Sequence, residues 1–336
     1  MLKDIYPRLL SEVIPDELSL NSLDVKRLIS EHNASGQSNA AYGQLLKSIY
    51  HSEPDSNIGL HFGNYLVPSK LCDFSRVLTT APNLRTAFEL AERTYYIQGA
   101  CYHPVVSFQN GKASVALIFP YKNNLSESQR RFCAETAFSF LINGIRESIS
   151  SDFKPLKVTF DYASPDYAEE YKSTFGDAVF FEQALNLIEI DEQYLYQTTI
   201  GHNSTMHNMY LNKHLDAVRS NDRHHNFEYK AISYLLLHHP DTLNSKKLAS
   251  RLNISVRGLQ KRLSKTGQSF SGISNQCRRE LAKTYLIQQQ QSVDYTAEQL
   301  GFQTNSGFRR FFKTEFNTSP SDFIEKSLEH ELAEIA

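Results

Sequence analysis

Two short runs in this sequence place Arg, Lys, Gln and Asn at spacings that gather them on one face of a helix. Arg257, Gln260 and Lys261 fall three or four apart, with Arg262 and Lys265 beside them. Asn305, Ser306, Arg309, Arg310 and Lys313 form a second such set. Side chains of these types suit recognition. An Arg can hold guanine O6 and N7 together, a Gln can hold adenine N6 and N7, and the remaining cations suit phosphates. The charge distribution agrees. The chain as a whole has a formal charge of -2, yet Asn244 to Lys326 hold 14 Lys and Arg against 6 Asp and Glu, while residues 1–243 hold 21 against 28. A basic segment inside an acidic chain is the footprint of a phosphate-binding surface.

Other chemistry finds little support. Of the 12 histidines, the pairs His224-His225 and His238-His239 are adjacent, and neighbouring side chains point apart on a helix. There is no HExxH and no Cys/His set with ligand spacing, so neither a metal nor a cofactor is expected. A GxSxG elbow, a P-loop and a dinucleotide fingerprint are also missing, and no enzyme is expected. Cys72, Cys101, Cys133 and Cys277 lie far apart, as free, buried thiols of a reducing cytoplasm would. No run of about 18 uncharged apolar residues occurs, and Met1 to Pro7 lack the charged lead and apolar core of a secretory leader. A cytoplasmic chain with no membrane contact is expected.

The elements that must carry the two polar sets follow from apolar spacing. Asn244 or Ser245 can cap a helix with Leu248, Ala249 and Leu252, and Ser255 can cap a second with Val256, Leu259 and Leu263 inward. Ala297, Leu300, Gly301 and Phe302 repeat the first helix and its turn; Thr304 or Asn305 starts the next, where Phe308, Phe311, Phe312 and Phe316 form a core stripe. Phe270 to Gln289 reads as one long helix joining the two units. Upstream, helices are expected at Ala40–Tyr50, Asn83–Tyr96 and Ser126–Ser150, the last with a Ser126/Gln129 capping box. Asn110-Gly111 predicts a hairpin between strands at Val105–Gln109 and Lys112–Phe119, and further strands are expected at Leu156–Tyr162 and within Ala178–Ile190. The predicted fold is an α+β N-terminal sensor domain with antiparallel strands over residues 1–220, a polar linker at 221–226, and an all-α domain over 227–336 with two helix-turn-helix units joined by a long helix.

Arg278, Ala282 and Leu286, then Ala297-Glu298-Gln299-Leu300-Gly301-Phe302, Phe308-Arg309-Arg310-Phe311-Phe312-Lys313 and Ser319-Pro320-Ser321-Asp322-Phe323, resemble the AraC/XylS family signature over roughly Phe227 to Lys326. The resemblance implies a seven-helix domain that sets two recognition helices in successive major grooves on one DNA face. Thr296, Asn317 and Ile324 depart from the usual aliphatic, Gly and Arg; Asn317 is mild, because Asn tolerates the left-handed backbone.

Upstream, Ile58-Gly59-Leu60-His61-Phe62-Gly63, the helix through Leu84, Ala87 and Leu90, and Phe175 to Phe181 with Asn186-Leu187-Ile188 are similar to the effector-binding domain of the family members related to ornithine-utilisation regulators. This implies a ligand sensor or oligomerisation module. Tyr95, Tyr96, Tyr102, Phe108, Phe119 and Tyr121, with Arg93, are the candidate pocket residues for an apolar or fatty-acid-like effector. A cationic amino acid would instead need Glu89 or Glu92 facing inward. Expected partners are double-stranded promoter DNA, a small-molecule effector, RNA polymerase and a second copy in a homodimer. An effector-independent DNA-binding dimer and an enzyme fused to a DNA-binding module stand as alternatives.

Overall fold

The computed structural model describes residues 56–95, 102–119, 125–221 and 227–335. The helix expected at Ala40–Tyr50 and the candidate residues Tyr96 and Tyr121 lie outside the described residues.

The N-terminal half opens with helices α1 (Ile58–Tyr65), α2 (Pro68–Leu71), α3 (Asp73–Thr79) and α4 (Leu84–Thr94). Asn83 caps α4 by accepting the Thr86 amide at 2.9 Å. The hairpin follows as predicted: β1 (His103–Gln109) and β2 (Lys112–Ile118) are joined by Asn110 and Gly111, both at positive φ (54° and 72°). Helix α5 (Glu127–Ser148) begins at a complete capping box, in which Ser126 accepts the Gln129 amide and Gln129 accepts the Ser126 amide. β3 (Lys157–Thr159), α6 (Ala168–Phe175), β4 (Val179–Phe180) and β5 (Asn186–Asp191) complete a five-stranded sheet ordered β1-β2-β5-β3-β4. The sheet carries the expected antiparallel pairs and one parallel pair besides, β3 with β4. A parallel pair requires a crossover, and α6 supplies it.

Helix α1 packs closely on α5. A Cβ on Gly59 would lie 2.2 Å from Glu135 Oε2, and one on Gly63 would lie 2.7 Å from Ser139 Cβ, so both positions exclude any side chain. The core between α1, α5 and the sheet includes Phe62, Phe132, Phe138, Phe160 and Tyr171. Helix α7 (Ser204–Asn221), which sequence spacing does not predict, returns over α3; His214 Nε2 pairs with Thr94 Oγ1 at 2.8 Å, and its ring lies 5.0 Å from that of Phe74.

The C-terminal half is helical: α8 (Phe227–Leu237), α9 (Ser245–Arg251), α10 (Val256–Ser264), α11 (Phe270–Lys283), α12 (Val293–Gln299), α13 (Asn305–Phe316) and α14 (Pro320–Ile335). The long connecting helix is continuous only to Lys283; a π-helical turn at Thr284–Gln288 finishes it. Leu248, Ala249, Leu259, Leu263, Phe308 and Phe312 are buried in one core with Leu281 and Ala282 of α11, as the apolar stripes require.

Both faces of β2 are covered, which explains its nearly continuous apolar run. Ala113, Val115 and Leu117 face the N-terminal core. Ala116 and Ile118 face the helical unit, where Ala116 meets Ile287 of the π turn. Gln288 Nε2 donates to Ser114 Oγ at 2.7 Å and to Ser114 O at 3.2 Å, and Lys283 Nζ donates to Ala184 O at 3.4 Å. The π turn therefore seats on the outer face of the sheet. No helix among the described residues is long and apolar enough to cross a membrane.

Candidate functional site

The two helix-turn-helix units share one backbone device. In the first, Asn244 caps α9 by accepting the Lys246 amide at 2.9 Å, the turn passes through Asn253 at φ 53°, and Ile254 N–H donates back to Ala249 O at 3.0 Å. Ser255 then caps α10 by accepting the Gly258 amide at 3.0 Å. In the second, Ser292 caps α12, the turn passes through Gly301 at φ 74°, and Phe302 N–H donates to Ala297 O, again at 3.0 Å. Thr304 caps α13 by accepting the Gly307 amide at 3.1 Å. The small residues Ala249 and Ala297 sit at equivalent places, each nearly fully buried where the next helix crosses. Asn317 ends α13 in the left-handed conformation (φ 56°, ψ 18°), so the departure from Gly there is accommodated.

Every predicted recognition residue lies exposed on α10 or α13: Arg257, Gln260, Lys261 and Arg262 on the first, Asn305, Ser306, Arg309, Arg310 and Lys313 on the second. Two of them have intramolecular partners. The Arg262 guanidinium stands 5.1 Å from the centre of the Phe227 ring, and Asn305 Nδ2 donates to Asp294 Oδ1 at 2.6 Å. Leu259 and Leu263 are fully buried under the first set, Phe308 and Phe312 under the second. These anchors fix which face each helix offers to solvent.

Arg278 of α11 ties the two units together, a role that sequence spacing did not reveal. Its Nε donates to Leu300 O at 3.0 Å, next to the second turn, and its Nη2 to Leu243 O at 3.4 Å, just before α9. Its Nη1 donates to Asn275 Oδ1 at 3.2 Å, and the guanidinium lies 5.5 Å from the centre of the Phe302 ring. One cation thus satisfies carbonyls at the edges of both units. The carbonyl at the end of α12 has no helical partner, so this bond replaces one that would otherwise be missing.

In the N-terminal half, an apolar cavity of about 120 Å³ lies between α2, α3, α4, the inner face of β1 and β2, and α5. Of the predicted pocket residues, the structure brings Tyr95 and Tyr102 to this cavity, their hydroxyls hydrogen-bonded to one another. Phe119 is buried behind Tyr102, ring centres 5.9 Å apart. Phe108 carries the Arg85 guanidinium on its ring at 4.2 Å, and Arg93 is exposed; neither lines the cavity. Glu89 pairs with Arg85 at 3.1 Å. Glu92 is turned toward β1, where it accepts the Val106 amide at 2.7 Å, and burial raises its carboxyl to about 7. Leu71, Phe74 and Leu78 of α2 and α3 line the cavity without having been foreseen. Phe74 and Leu78 are four apart on α3, but α2 and α3 are short and broken by the extended Cys72, so no sustained period shows in the sequence.

Two helix-turn-helix units on one connecting helix, each turning a polar and basic face to solvent, define a DNA-binding transcription regulator. The comparisons with known proteins specify the class further. The model of the arabinose-binding domain of AraC transcription regulators matches residues 26–198, and a helix-turn-helix domain model matches residues 248–326. The chain belongs to the AraC family of transcription regulators. It is 24% identical over 284 residues to the ornithine utilization regulator of Pseudomonas aeruginosa, covering 84% of this chain and 83% of that one. A crystal structure of the transcriptional regulator CdpR from Pseudomonas aeruginosa superposes with a TM-score of 0.46 at 17% identity, over 84% of this chain and 90% of that chain.

Proposed function

We propose that the chain is a one-component regulator, in which an effector bound in the N-terminal half controls how α10 and α13 read duplex promoter DNA. The observation that carries this reading is the repeated turn: two units with the same back-bond, each presenting Arg, Lys and amide or hydroxyl side chains outward from a buried apolar stripe. Arg257, Gln260, Asn305 and Arg310 read base edges, with Asn305 released from Asp294 on binding. Lys261, Arg262, Ser306, Arg309 and Lys313 contact the flanking backbone, as does Lys265. RNA polymerase and a second copy of the chain are its further partners at the promoter, in the cytoplasm.

Binding-site selection tests the assignment. Each of Arg257→Ala, Gln260→Ala, Asn305→Ala and Arg310→Ala relaxes preference at particular base pairs by about 1–3 kcal/mol, whereas Lys265→Ala weakens all sequences alike and lowers the salt slope by about one unit. Four Ala variants that keep the wild-type preference would refute it.

A further inference from the structure

We propose that the cavity under α2, α3 and α4 is the effector site, and that its ligand is a small neutral molecule: one aromatic ring or about six carbons, with at most one hydroxyl or carbonyl end. The proposal rests on the effector-responsive reading above and supplies its ligand class. Three observations carry it.

The first is the lining. Among the described residues it contains no Lys, Arg, Asp, Glu or His. Its Ser and Thr hydroxyls are committed to main chain: Ser75 donates to Cys72 O at 3.0 Å, Thr79 to Ser75 O at 3.2 Å, and Ser148 to Gly144 O at 2.6 Å. A sugar would bury several hydroxyls with nothing to receive them, and an amino acid would bury two charges without partners; both are strongly disfavoured. Apolar surface is what the walls accept. The second observation is size together with a polar end. About 120 Å³ is of the order of an apolar cavity that takes benzene. At one end, the Tyr95 and Tyr102 hydroxyls form a phenolic pair that can receive one hydroxyl or carbonyl group.

The third is what lies behind the cavity. Pro104 and Val106 of β1 and Val115 and Leu117 of β2 form its floor, and the alternate residues of β2, Ser114 and Ala116, hold Gln288 and Ile287 of the π turn. One strand thus separates the ligand from the helix that positions both readers. Filling the cavity presses on a sheet that is already packed on its other face, so occupancy reaches α11 without any intervening loop.

Titration calorimetry on the full-length chain decides it, with phenol, toluene and hexan-1-ol as probes and L-arabinose and L-ornithine as controls. Phenol and hexan-1-ol show saturable one-site binding, and the two controls show none. Ala137→Leu, which extends a wall residue of α5 into the space, weakens phenol at least tenfold; Ala91→Leu does the same from α4, in case the first variant does not fold. Tyr102→Phe weakens phenol several-fold and leaves toluene unchanged. Saturable binding of L-ornithine or L-arabinose, absence of binding by all three apolar probes, or undiminished affinity in the two Leu variants overturns the proposal. Footprinting of promoter DNA without any probe tests the DNA reader separately: a chain that footprints but takes no apolar probe refutes this ligand class and leaves the reader standing.

Discussion

Replacing Arg278 by Met keeps the aliphatic stem and removes every donor of the brace between the two helix-turn-helix units. Leu300 is fully buried and Leu243 nearly so, and both carbonyls lose their charged partner. An abandoned buried acceptor costs about 1–3 kcal/mol. The bond to Leu300 at 3.0 Å belongs in the middle of that range; the one to Leu243 at 3.4 Å is long, and the one to exposed Asn275 contributes almost nothing. The guanidinium is only half-buried, which lowers the total further, so Arg278→Met destabilises the helical unit by about 2 kcal/mol. Arg278→Lys recovers part of this, since an ammonium reaches one carbonyl at a time. Urea denaturation followed by far-UV circular dichroism gives the stability. Footprinting gives the consequence for function: the two half-sites, protected together by the native chain, become protected at different concentrations in the Met variant. A Met variant within about 0.5 kcal/mol of the parent, with both half-sites still protected in step, refutes the brace.

Two further perturbations follow from buried polar groups. Burial raises Glu135 to about 7, opposed by the hydrogen bonds that Tyr171 and Tyr167 donate to its Oε1. The folded chain therefore keeps this proton up to about 7 while the unfolded chain releases it near 4.5, so stability falls as pH rises through that window, by about 3 kcal/mol from this group. Glu135→Gln removes that slope, and chemical denaturation of both proteins at pH values on either side of the window measures it; equal slopes contradict the assignment. Burial lowers His103 to about 3 and His214 to about 4, and their contribution runs the other way, lost as pH falls below about 6.5, so only the difference between variant and parent isolates Glu135. Gln288→Ala removes both bonds to Ser114, the side-chain hydrogen bonds that hold the π turn to β2, and leaves the Ile287–Ala116 contact in place. It leaves DNA affinity without effector changed by less than about 1 kcal/mol and abolishes most of the effector response; a full response in this variant, read by fluorescence anisotropy on labelled promoter DNA, contradicts the route through β2.

The helical half was legible in the sequence because its signals are local. Leu248 with Ala249, Leu259 with Leu263 and Phe308 with Phe312 lie within one or two turns of each other, and the caps Ser255 and Thr304 immediately precede the helices they start. The hairpin at Asn110-Gly111 was legible for the same reason. What escaped depends on contacts distant in sequence. Arg278 reaches carbonyls 22 and 35 residues away, and nothing in its own neighbourhood indicates that. The cavity draws its walls from α2, α3, α4, β1, β2 and α5, and of the predicted aromatic residues among the described ones, Tyr95 and Tyr102 meet there while Phe108 and Phe119 do not. Arg93 stands on another face of α4, and Phe108 shares the face of Pro104 and Val106 but lies farther along β1, under Arg85 and outside the cavity; composition carries no information about either placement. The parallel β3–β4 pair was hidden by the shortness of both strands, three and two residues.

The central claim is that one chain reads two adjacent major grooves with α10 and α13 held on a single connecting helix. If so, the half-sites lie about 10 bp apart, on one face of the duplex, and differ in sequence because the two exposed sets differ. Inserting 5 bp between them turns one half-site to the opposite face. Quantitative footprinting of the native and the inserted site gives the most direct test. The account predicts that the insertion abolishes tight binding and leaves only the weak protection of a single half-site; unchanged affinity and a full two-turn footprint on the inserted site would contradict it.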